Sequence, residues 1–470
     1  MPINRRLRAL PLLLLLTIAP MVQAQGVMQP LSIQGVEHQD PAMVRSRGMG
    51  SVFAATAGTA ESVVLNPAGL AGLPHPMISA SGIWRSRNWA ETQHWNPNRY
   101  YAGLSLFFAD PESYRTDALS VPDWTHSQSL VSLAAAGGAW PLRLTGRALS
   151  VGLMIHQTAY LADYDQNNNV LDPYIGQFRP NPVERPRPGE EIVVHWSEFE
   201  RERTGQMRAV TAAAGYALSD HWHIGARLAR HWGASTDRQV SQSVGQFILR
   251  EDAHDWDHEA LSGRHGWEGS SDFSSWRGAL GVRLTYPIVS AGLTYEFAGQ
   301  VRRAYTRSYT SNNPQALMAS LEGTDTVTIP ARVTIGIAVQ PSSDLLVAAD
   351  YFWQNYEELE AADYTTNAIP DWGRTRGVGL GAEWATWSNV SLRAGFRRDP
   401  RPFRIEGFGL VGQTAAGDAF STGFSAALGR ITVELAYEYQ RLRYQDRWES
   451  NVDYNRIRQH NLLMGAAYRI

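Results

Sequence analysis

Alternation of apolar and polar residues with a period of two is the main pattern of the chain from Met77 onward. Residues 431–440 show it most clearly, with the two sides of the segment as follows: Ile431, Val433, Leu435, Tyr437 and Tyr439 against Thr432, Glu434, Ala436, Glu438 and Gln440. Successive side chains of a β-strand point to opposite faces, whereas an α-helix would mix the two sets. The pattern therefore predicts strands with one apolar face.

About fourteen such segments follow one another along the chain. They are residues 77–86, 129–140, 147–160, 206–218, 221–233, 274–286, 288–300, 327–340, 344–356, 375–386, 389–397, 418–429, 431–443 and 459–470. Residues 99–108 also have a strand-like pattern, and we place them within the first outer loop because single-chain bacterial barrels have an even number of strands. A barrel of sixteen strands is the alternative if residues 99–108 and a second segment, such as 191–199, both form strands.

The connections between these segments alternate between short and long. Tight turns are predicted at 219–220, 286–287, 341–344, 387–388 and 429–430, and long polar loops at 162–203, 233–272, 303–325, 357–373, 399–417 and 444–458. Short turns at one rim and long loops at the other are typical of outer-membrane barrels, as are aromatic residues at the ends of apolar faces. We predict an all-β fold, a transmembrane antiparallel β-barrel over residues 76–470.

The first 24 residues have the features of a cleaved signal peptide. Arg5, Arg6 and Arg8 precede an apolar stretch at 10–19, which is too short to span a bilayer, and small residues precede Gln25. We expect export to the outer membrane of a Gram-negative-type bacterium. The mean hydropathy of −0.30 argues against a helical membrane protein but suits a barrel, whose strands alternate.

Composition narrows the function further. The net charge of −3 gives no global basic field for nucleic acid, and the absence of cysteine removes disulfides and thiolate metal sites. Sixteen Trp and nineteen Tyr are many for 470 residues, and both residue types collect at bilayer interfaces. No cofactor is expected.

The segment of residues 25–75 differs from both the leader and the strands. Gly48 and Gly50 flank Met49 as a flexible break, and small residues follow over 54–60. Asn66-Pro67-Ala68 predicts a helix start, because Asn66 can cap free N–H groups and Pro67 suits the first helical position. A compact small-residue segment just before a β-rich chain suggests an insert that lies inside the barrel as a small helical hatch.

The order of Gly48-Met49-Gly50, the alanine-rich run and Asn66-Pro67-Ala68 resembles the N-terminal hatch of the long-chain fatty acid transporter (FadL/TodX) family of outer-membrane channels. This resemblance implies a monomeric barrel of fourteen strands with the hatch in its lumen. It also implies uptake of hydrophobic small molecules, such as long-chain fatty acids or aromatic hydrocarbons. The ligand would enter at the extracellular loops, reach a lumenal pocket and leave by a lateral exit that hatch movement opens.

If the apolar faces meet lipid, charged residues of the opposite faces line the lumen. They are Arg208, Arg227, Arg277, Arg283, Arg332, Arg393 and Arg397 with Glu296, Asp350, Glu383, Glu434 and Glu438. Because arginine binds carboxylates bidentately, we select five as candidate ligand-binding residues for an anionic head group: Arg227, Arg277, Arg283, Arg332 and Arg393. The alternative, which charge balance favours, is that these arginines pair with the lumenal acids and clamp the hatch.

Strand interruptions would serve a lateral exit. Gly137-Gly138 and Gly152 lie in early strands, and Pro330 removes a ladder hydrogen bond in another. Each is equally compatible with a bulge that only curves the wall.

The sequence contains no motif that predicts an enzyme. His254, Asp255, Asp257 and His258 share one loop but form no closed ligand set, so no metal site is assigned. The chain contains no nucleophile elbow, phosphate-binding loop or zinc-protease motif.

The expected partners are a hydrophobic ligand, outer-membrane lipid and lipopolysaccharide. Two other functions compete with uptake. One is a non-transport barrel that serves protein secretion or surface attachment and binds a protein partner at its extracellular loops. The other is a general pore for polar solutes, which a hatch would block.

Overall fold

A computed structural model describes residues 35–36, 40–56, 58–95, 123–172, 188–250, 254–257, 263–312, 319–358, 361–362, 373–404, 414–447 and 451–470. Its β-strands are β1 (Met77–Trp95), β2 (Trp124–Leu144), β3 (Arg147–Tyr160), β4 (Asp163–Asp172), β5 (Ile192–Ala217), β6 (Trp222–Leu249), β7 (His254–Asp257), β8 (Arg264–Thr285), β9 (Val289–Glu296), β10 (Gly299–Ser311), β11 (Ser320–Ile329), β12 (Arg332–Ser342), β13 (Leu345–Asn355), β14 (Ala361–Ala362), β15 (Arg374–Trp387), β16 (Val390–Arg404), β17 (Thr414–Leu428), β18 (Ile431–Arg447) and β19 (Asn451–Arg469). The predicted leader, residues 1–24, lies outside the described residues.

The strands form one closed antiparallel sheet. β1 pairs with β2 on one side and with β19 on the other, from Met77 opposite Arg469 to Trp95 opposite Asn451. Some consecutive strands together act as one interrupted strand of the wall, namely the four pairs β3–β4, β9–β10, β11–β12 and β13–β14. The short strand β7 is an extension paired with β6. The wall therefore has fourteen strands, as predicted.

The question of sixteen strands is settled by the pairing of β5. Residues 192–199 belong to β5 and pair with β6 along 241–249, so they extend an existing strand. Residues 99–108, the other candidate, lie outside the described residues.

The strands extend much further outward than the sequence predicted. β5 and β6 contain 26 and 28 residues and run through much of the predicted loops at 162–203 and 233–272, so those loop assignments are wrong in part. In the extended parts of β5 and β6, polar and charged residues occur on both faces, so the period of two in hydrophobicity is lost there although the backbone pairing continues. No helix among the described residues is long and apolar enough to cross a membrane.

The two faces of the wall differ as the alternation predicted. In β18, Ile431 and Val433 are exposed on the outer face, while Ala436 and Glu438 are buried on the inner face. The same sorting along the other strands gives the barrel an apolar outer band that includes Leu228, Leu280 and other large side chains.

Three short helices lie within the barrel before β1. They are α1 (Val44–Gly48) and the 3-10 helices η1 (Ala60–Val63) and η2 (Pro67–Gly72). The predicted start at Asn66 is confirmed, because the Asn66 side chain accepts a hydrogen bond from the Ala68 N–H at 3.1 Å. We call residues 40–73 the hatch.

The wall interruptions do not fall at the predicted glycines. Gly137, Gly138 and Gly152 keep their pairing in β2 and β3. The bulge of β2 is at Ala134, that of β3 at Thr158, and β3 ends three residues before β4 begins. Pro330 does lie in a break, between β11 and β12, where no backbone N–H of proline is available to the ladder.

Candidate functional site

A ring of glycines on the inner wall lets the backbone of the hatch approach closely. A Cβ atom added to any of them would contact or overlap the hatch: Gly152, Gly215, Gly225, Gly281, Gly292, Gly336, Gly379, Gly381, Gly395, Gly423 and Gly465. They belong to ten different strands, so the fit extends around most of the wall. We call them the glycine ring.

The hatch glycines selected from the sequence meet this ring directly. Gly48 lies against Gly423, with 3.1 Å between an added Cβ and the Gly423 Cα. Gly50 has φ of 65°, and a Cβ there would overlap the carbonyl oxygens of Leu380 and Phe396. The Gly-Met-Gly segment is therefore required for close approach to the wall as well as for its backbone angles.

Asn66, Pro67 and Ala68 occupy the opposite side of the hatch. The Asn66 Nδ2 donates to the Ala54 carbonyl at 2.6 Å and Asn66 is fully buried, so its amide joins two parts of the hatch as well as capping η2. Pro67 packs against Gly215 and Gly225 of the glycine ring.

Buried ion pairs fasten the hatch to β16 and β18. Arg47 pairs with Glu438 at 3.0 Å and with Asp40 at 2.6 Å. Arg397 of the wall binds the same two carboxylates, at 3.1 Å from Asp40 and 3.2 Å from Glu438. Two arginines and two carboxylates thus form a closed network across the hatch and the wall.

A second network lies on the side of the hatch nearer the short turns. Arg45 binds both oxygens of Glu383 at 2.9 Å, and Arg393 binds Glu383 at 2.6 Å and Glu434 at 3.1 Å. Arg283 donates to the carbonyl of Ala55 at 2.8 Å. Of the five candidate arginines, Arg283 and Arg393 therefore contact the hatch or its anchors.

Glu61 of the hatch is the one titratable side chain of η1, and it stabilises the turn of α1. Its carboxylate accepts the backbone N–H of Arg45 at 2.8 Å and that of Ser46 at 3.1 Å. Burial raises the pKa of Glu61 to about 7, and the charge of Glu434 adds to the rise, while these two hydrogen bonds lower it.

Side chains of the wall also accept hydrogen bonds from the backbone of the hatch. The Asp350 Oδ2 accepts the N–H groups of Phe53 at 2.7 Å and Ala54 at 2.9 Å, and Ser421 accepts the Gly50 N–H at 3.0 Å. These bonds satisfy hatch N–H groups that would otherwise be buried without partners.

A cavity of about 100 Å³ lies on the other side of the hatch, toward the long-loop end; we call it the chamber. The remaining three candidate arginines line it. Arg227 and Arg277 bind Glu296 at 3.0 and 3.6 Å, while Arg332 lies over the Phe352 ring at 4.2 Å. The Nε of Arg332 is buried and has no hydrogen-bond partner.

The chamber also contains two histidines that the sequence analysis missed, His156 and His231. His156 is in β3 and His231 is in β6, and both side chains face inward. The period of two in these strands also predicts an inward position for each histidine. His156 Nε2 lies 2.9 Å from the Thr211 hydroxyl.

A cluster of buried apolar side chains adjoins the chamber and shares Tyr356 with its lining. It consists of Val36, Ala159, Leu161, Met207, Phe273, Val301, Val327, Ile329 and Tyr356. On the short-turn side of the hatch a second cavity of about 590 Å³ lies beside Arg45, Arg283 and Glu383. The hatch therefore separates two cavities inside one closed wall.

Arg208, which the sequence analysis assigned to the lumen, lies on the outer face. Its neighbours Met207 and Ala209 are the buried, inward residues of β5, and the strand alternates regularly there. The prediction of a lumenal Arg208 is therefore wrong.

These features define a closed fourteen-stranded antiparallel barrel with an N-terminal hatch held in its lumen. No protein-family model matches the sequence, and no curated protein matches it. Solved structures do share the fold. A Pseudomonas aeruginosa FadL homologue is similar with a TM-score of 0.60 at 10% identity, over 92% of this chain and 98% of that chain.

Two hydrocarbon channels are similar to the chain in the same way. The P. putida toluene transporter TodX gives a TM-score of 0.59 at 14% identity, over 92% of this chain and 99% of that one. The CymD monoaromatic hydrocarbon channel gives 0.52 at 16% identity, over 93% and 99%. The architecture expected from the hatch motifs is thus confirmed over nearly the whole chain.

Proposed function

We propose that the protein is an outer-membrane channel for uptake of hydrophobic small molecules, with the hatch as its gate. The apolar outer band supports insertion into a bilayer, and the long-loop rim then faces outward. The solved structures that share the fold include toluene transporters and a monoaromatic hydrocarbon channel, which supports a hydrophobic cargo.

The observation that carries the proposal is the division of the lumen by the hatch. The glycine ring and the two ion-pair networks hold the hatch against the wall with a cavity on either side. A ligand that has entered the chamber cannot move on while the hatch stays in this position. Passage therefore requires the hatch or the neighbouring wall to move.

The chamber sets conditions on the ligand. Its volume of about 100 Å³ is below the roughly 150 Å³ of a cavity that holds benzene, so binding displaces some lining side chains. The charged residues of its lining balance in number, but the buried Arg332 Nε is an unused donor beside the pairs that Arg227 and Arg277 make with Glu296. We assign Arg227, Arg277 and Arg332 to an acidic head group on an otherwise apolar ligand, and Arg283 and Arg393 to holding the hatch.

The interrupted strands supply places for a lateral exit at the level of the chamber. β3 ends at Tyr160 and β4 begins at Asp163, with the Leu161 N–H still donating to the Gly205 carbonyl at 3.0 Å, and Pro330 lies between β11 and β12. Chamber residues adjoin both breaks, since Thr158 precedes the first and Arg332 follows the second. Wall segments with fewer ladder hydrogen bonds deform at lower cost than fully paired ones.

Hatch deletion tests the proposal. Removing residues 45–73 should leave a folded barrel whose ion conductance in planar bilayers rises several-fold, because the two cavities then join. Uptake of a radiolabelled fatty acid or toluene by cells should lose its saturation behaviour. Unchanged conductance would contradict a lumenal gate, and equal uptake by cells lacking the protein would contradict the transport role.

The alternative role in protein secretion or attachment depends on the long outer loops, most of whose residues lie outside those described. Pull-down with the intact protein distinguishes it from uptake, since a channel for small molecules needs no protein bound at its loops.

A further inference from the structure

Three arginines lie close together on the outer face of the wall, where neighbouring positions carry apolar residues. Arg208 of β5 is opposite Trp232 of β6, Trp232 is opposite Ser274 of β8, and Ser274 is opposite Arg302 of β10. Neighbouring strands are about 4.8 Å apart, so this row spans about 14 Å. Arg230 is the next outward-facing residue of β6 on the short-turn side of Trp232, and it is opposite Trp276 of β8. We call Arg208, Arg230 and Arg302 the outer-wall arginine patch.

The patch lies at the outward edge of the apolar band. Trp222 marks the short-turn end of β6, and Trp232 is ten positions further along the strand. Ten residues extend about 33 Å, which a tilt of 35–45° reduces to about 25 Å, the usual height of the lipid-facing band. Exposed Trp232 and Trp276 therefore belong to the outer aromatic girdle, and the arginines lie among them.

The arginines of the patch are not neutralised by the protein. Within the part of the chain that the structure describes, none of the three makes an ion pair. Arg230 donates to the Ser275 carbonyl at 3.3 Å and lies over the Trp276 ring at 5.4 Å. The Nε of Arg208 is buried without a hydrogen-bond partner.

Carboxylates near the patch do not balance its charge. Asp272 is exposed on the outer face of β8, two residues from Ser274 on the long-loop side. It supplies one negative charge, whereas the patch has three positive charges. Further out on the same face, Arg238 does have acidic partners, Glu200 at 3.3 Å and Glu268 at 3.7 Å. Among the described residues, Arg238 is thus paired by the protein, whereas Arg208, Arg230 and Arg302 are not.

We propose that the outer-wall arginine patch binds the phosphate groups of lipopolysaccharide in the outer leaflet. Guanidinium groups bind phosphate oxygens bidentately, and a span of three strands accommodates a head group with more than one phosphate. The acyl chains then lie along exposed Leu228 and Leu280, directly below the patch. Phospholipid head groups of the inner leaflet are about 25 Å away at the opposite rim and do not reach it.

This inference rests on the proposed placement in the outer membrane, and the test separates the two. The triple variant Arg208→Gln/Arg230→Gln/Arg302→Gln removes the patch with little change in side-chain size. The matched control, Arg143→Gln/Arg147→Gln/Arg430→Gln, removes three exposed charges at the short-turn rim. The intact protein and both variants are titrated in detergent with purified lipopolysaccharide, its dephosphorylated form and phosphatidylglycerol, and each is also reconstituted into bilayers.

We expect the patch variant to bind lipopolysaccharide at least about tenfold more weakly than the parent and the control, because each lost charge-assisted bond weakens binding by that order. The dephosphorylated form should bind the parent as weakly as lipopolysaccharide binds the patch variant. Equal affinity of all three proteins, or a parent that prefers phosphatidylglycerol, would overturn the patch alone. A parent that does not insert into bilayers would overturn the proposed function together with it.

Discussion

Arg47 of the hatch donates through Nη1 to Oε1 of Glu438 on β18 at 3.0 Å, and the two side chains are only 2% and 0% exposed. Glu438 also accepts hydrogen bonds from Arg397 at 3.2 Å and Asn461 at 2.9 Å, so its carboxylate is surrounded by donors. A buried pair of this kind contributes little net stability over an apolar replacement, but it is expensive to break from one side. Its main effect is to fix the position of the hatch.

Removing the carboxylate of Glu438 leaves the buried Arg47 and Arg397 with Asp40 as the carboxylate that they share. We therefore expect Glu438→Ala to lower the free energy of unfolding by about 3–5 kcal/mol, measured by urea unfolding in detergent. Glu322→Ala, at an exposed outer position of β11, is the control and should change it by less than about 0.5 kcal/mol. Equal effects of the two substitutions would show that the buried network does not hold the hatch.

The glycine ring predicts a steric effect of a single methyl group. In Gly292→Ala the added Cβ would overlap the Ala54 carbonyl oxygen, so we expect the hatch to shift, at a cost of about 1–3 kcal/mol, and single-channel conductance to rise. Gly82→Ala is the matched control, because an added Cβ there meets nothing nearer than 3.7 Å and the residue is on the outer face. A Gly292→Ala channel with parental conductance would mean that the hatch tolerates the added volume.

Asn66 combines a helix cap with a bond inside the hatch. Asn66→Ala loses both the contact to the Ala68 N–H and the bond to the Ala54 carbonyl, and we expect a cost of about 2 kcal/mol. Asn66→Asp keeps the cap but brings a carboxylate against the Ala54 carbonyl, so it should be no better. Protease digestion of folded barrels measures the release of the hatch; resistance equal to the parent in both variants would contradict the assignment.

The pKa of Glu61, raised to about 7, makes the hatch sensitive to pH. Between the ordinary pKa near 4.5 and this value the folded state holds the proton more tightly than the unfolded state, so stability falls as pH rises through this window. We expect Glu61→Gln, which stays neutral, to remove that part of the pH dependence, measured as unfolding midpoints from pH 4 to 8. Glu322→Gln should retain it, and a parental slope in Glu61→Gln would assign the pH dependence to other groups.

The sequence predicted the barrel because lipid imposes a simple rule on each strand. Ile431 and Val433 must face lipid while Glu434 and Glu438 face inward, and this alternation is visible in one dimension. The fourteen-strand count and the short turns follow from the same pattern. The extensions of β5 and β6 beyond the membrane were missed, because in water neither face of a strand has to be apolar.

The candidate site was harder to predict for a physical reason. The alternation of apolar and polar residues places four of the arginines on the inner face, namely Arg227, Arg283, Arg332 and Arg393. The height of each along the lumen depends on the stagger of the strands, which the sequence does not show. Arg332 thus reaches the chamber while Arg283 reaches the Ala55 carbonyl. Arg208 was assigned to the wrong face because the apolar residue at the neighbouring position, Met207, belongs to the lumen and not to the lipid side.

The closeness of the glycine ring to the hatch constrains the order in which the molecule is assembled. The hatch precedes β1 in the chain, and β1 closes the ring by pairing with β19, the last strand that the structure describes. With no clearance for even one methyl group at positions such as Gly292, a finished cylinder has no room to admit the hatch afterwards. We therefore expect the N-terminal segment to be seated while the cylinder is still an open sheet, with the pairing of β1 and β19 closing around it.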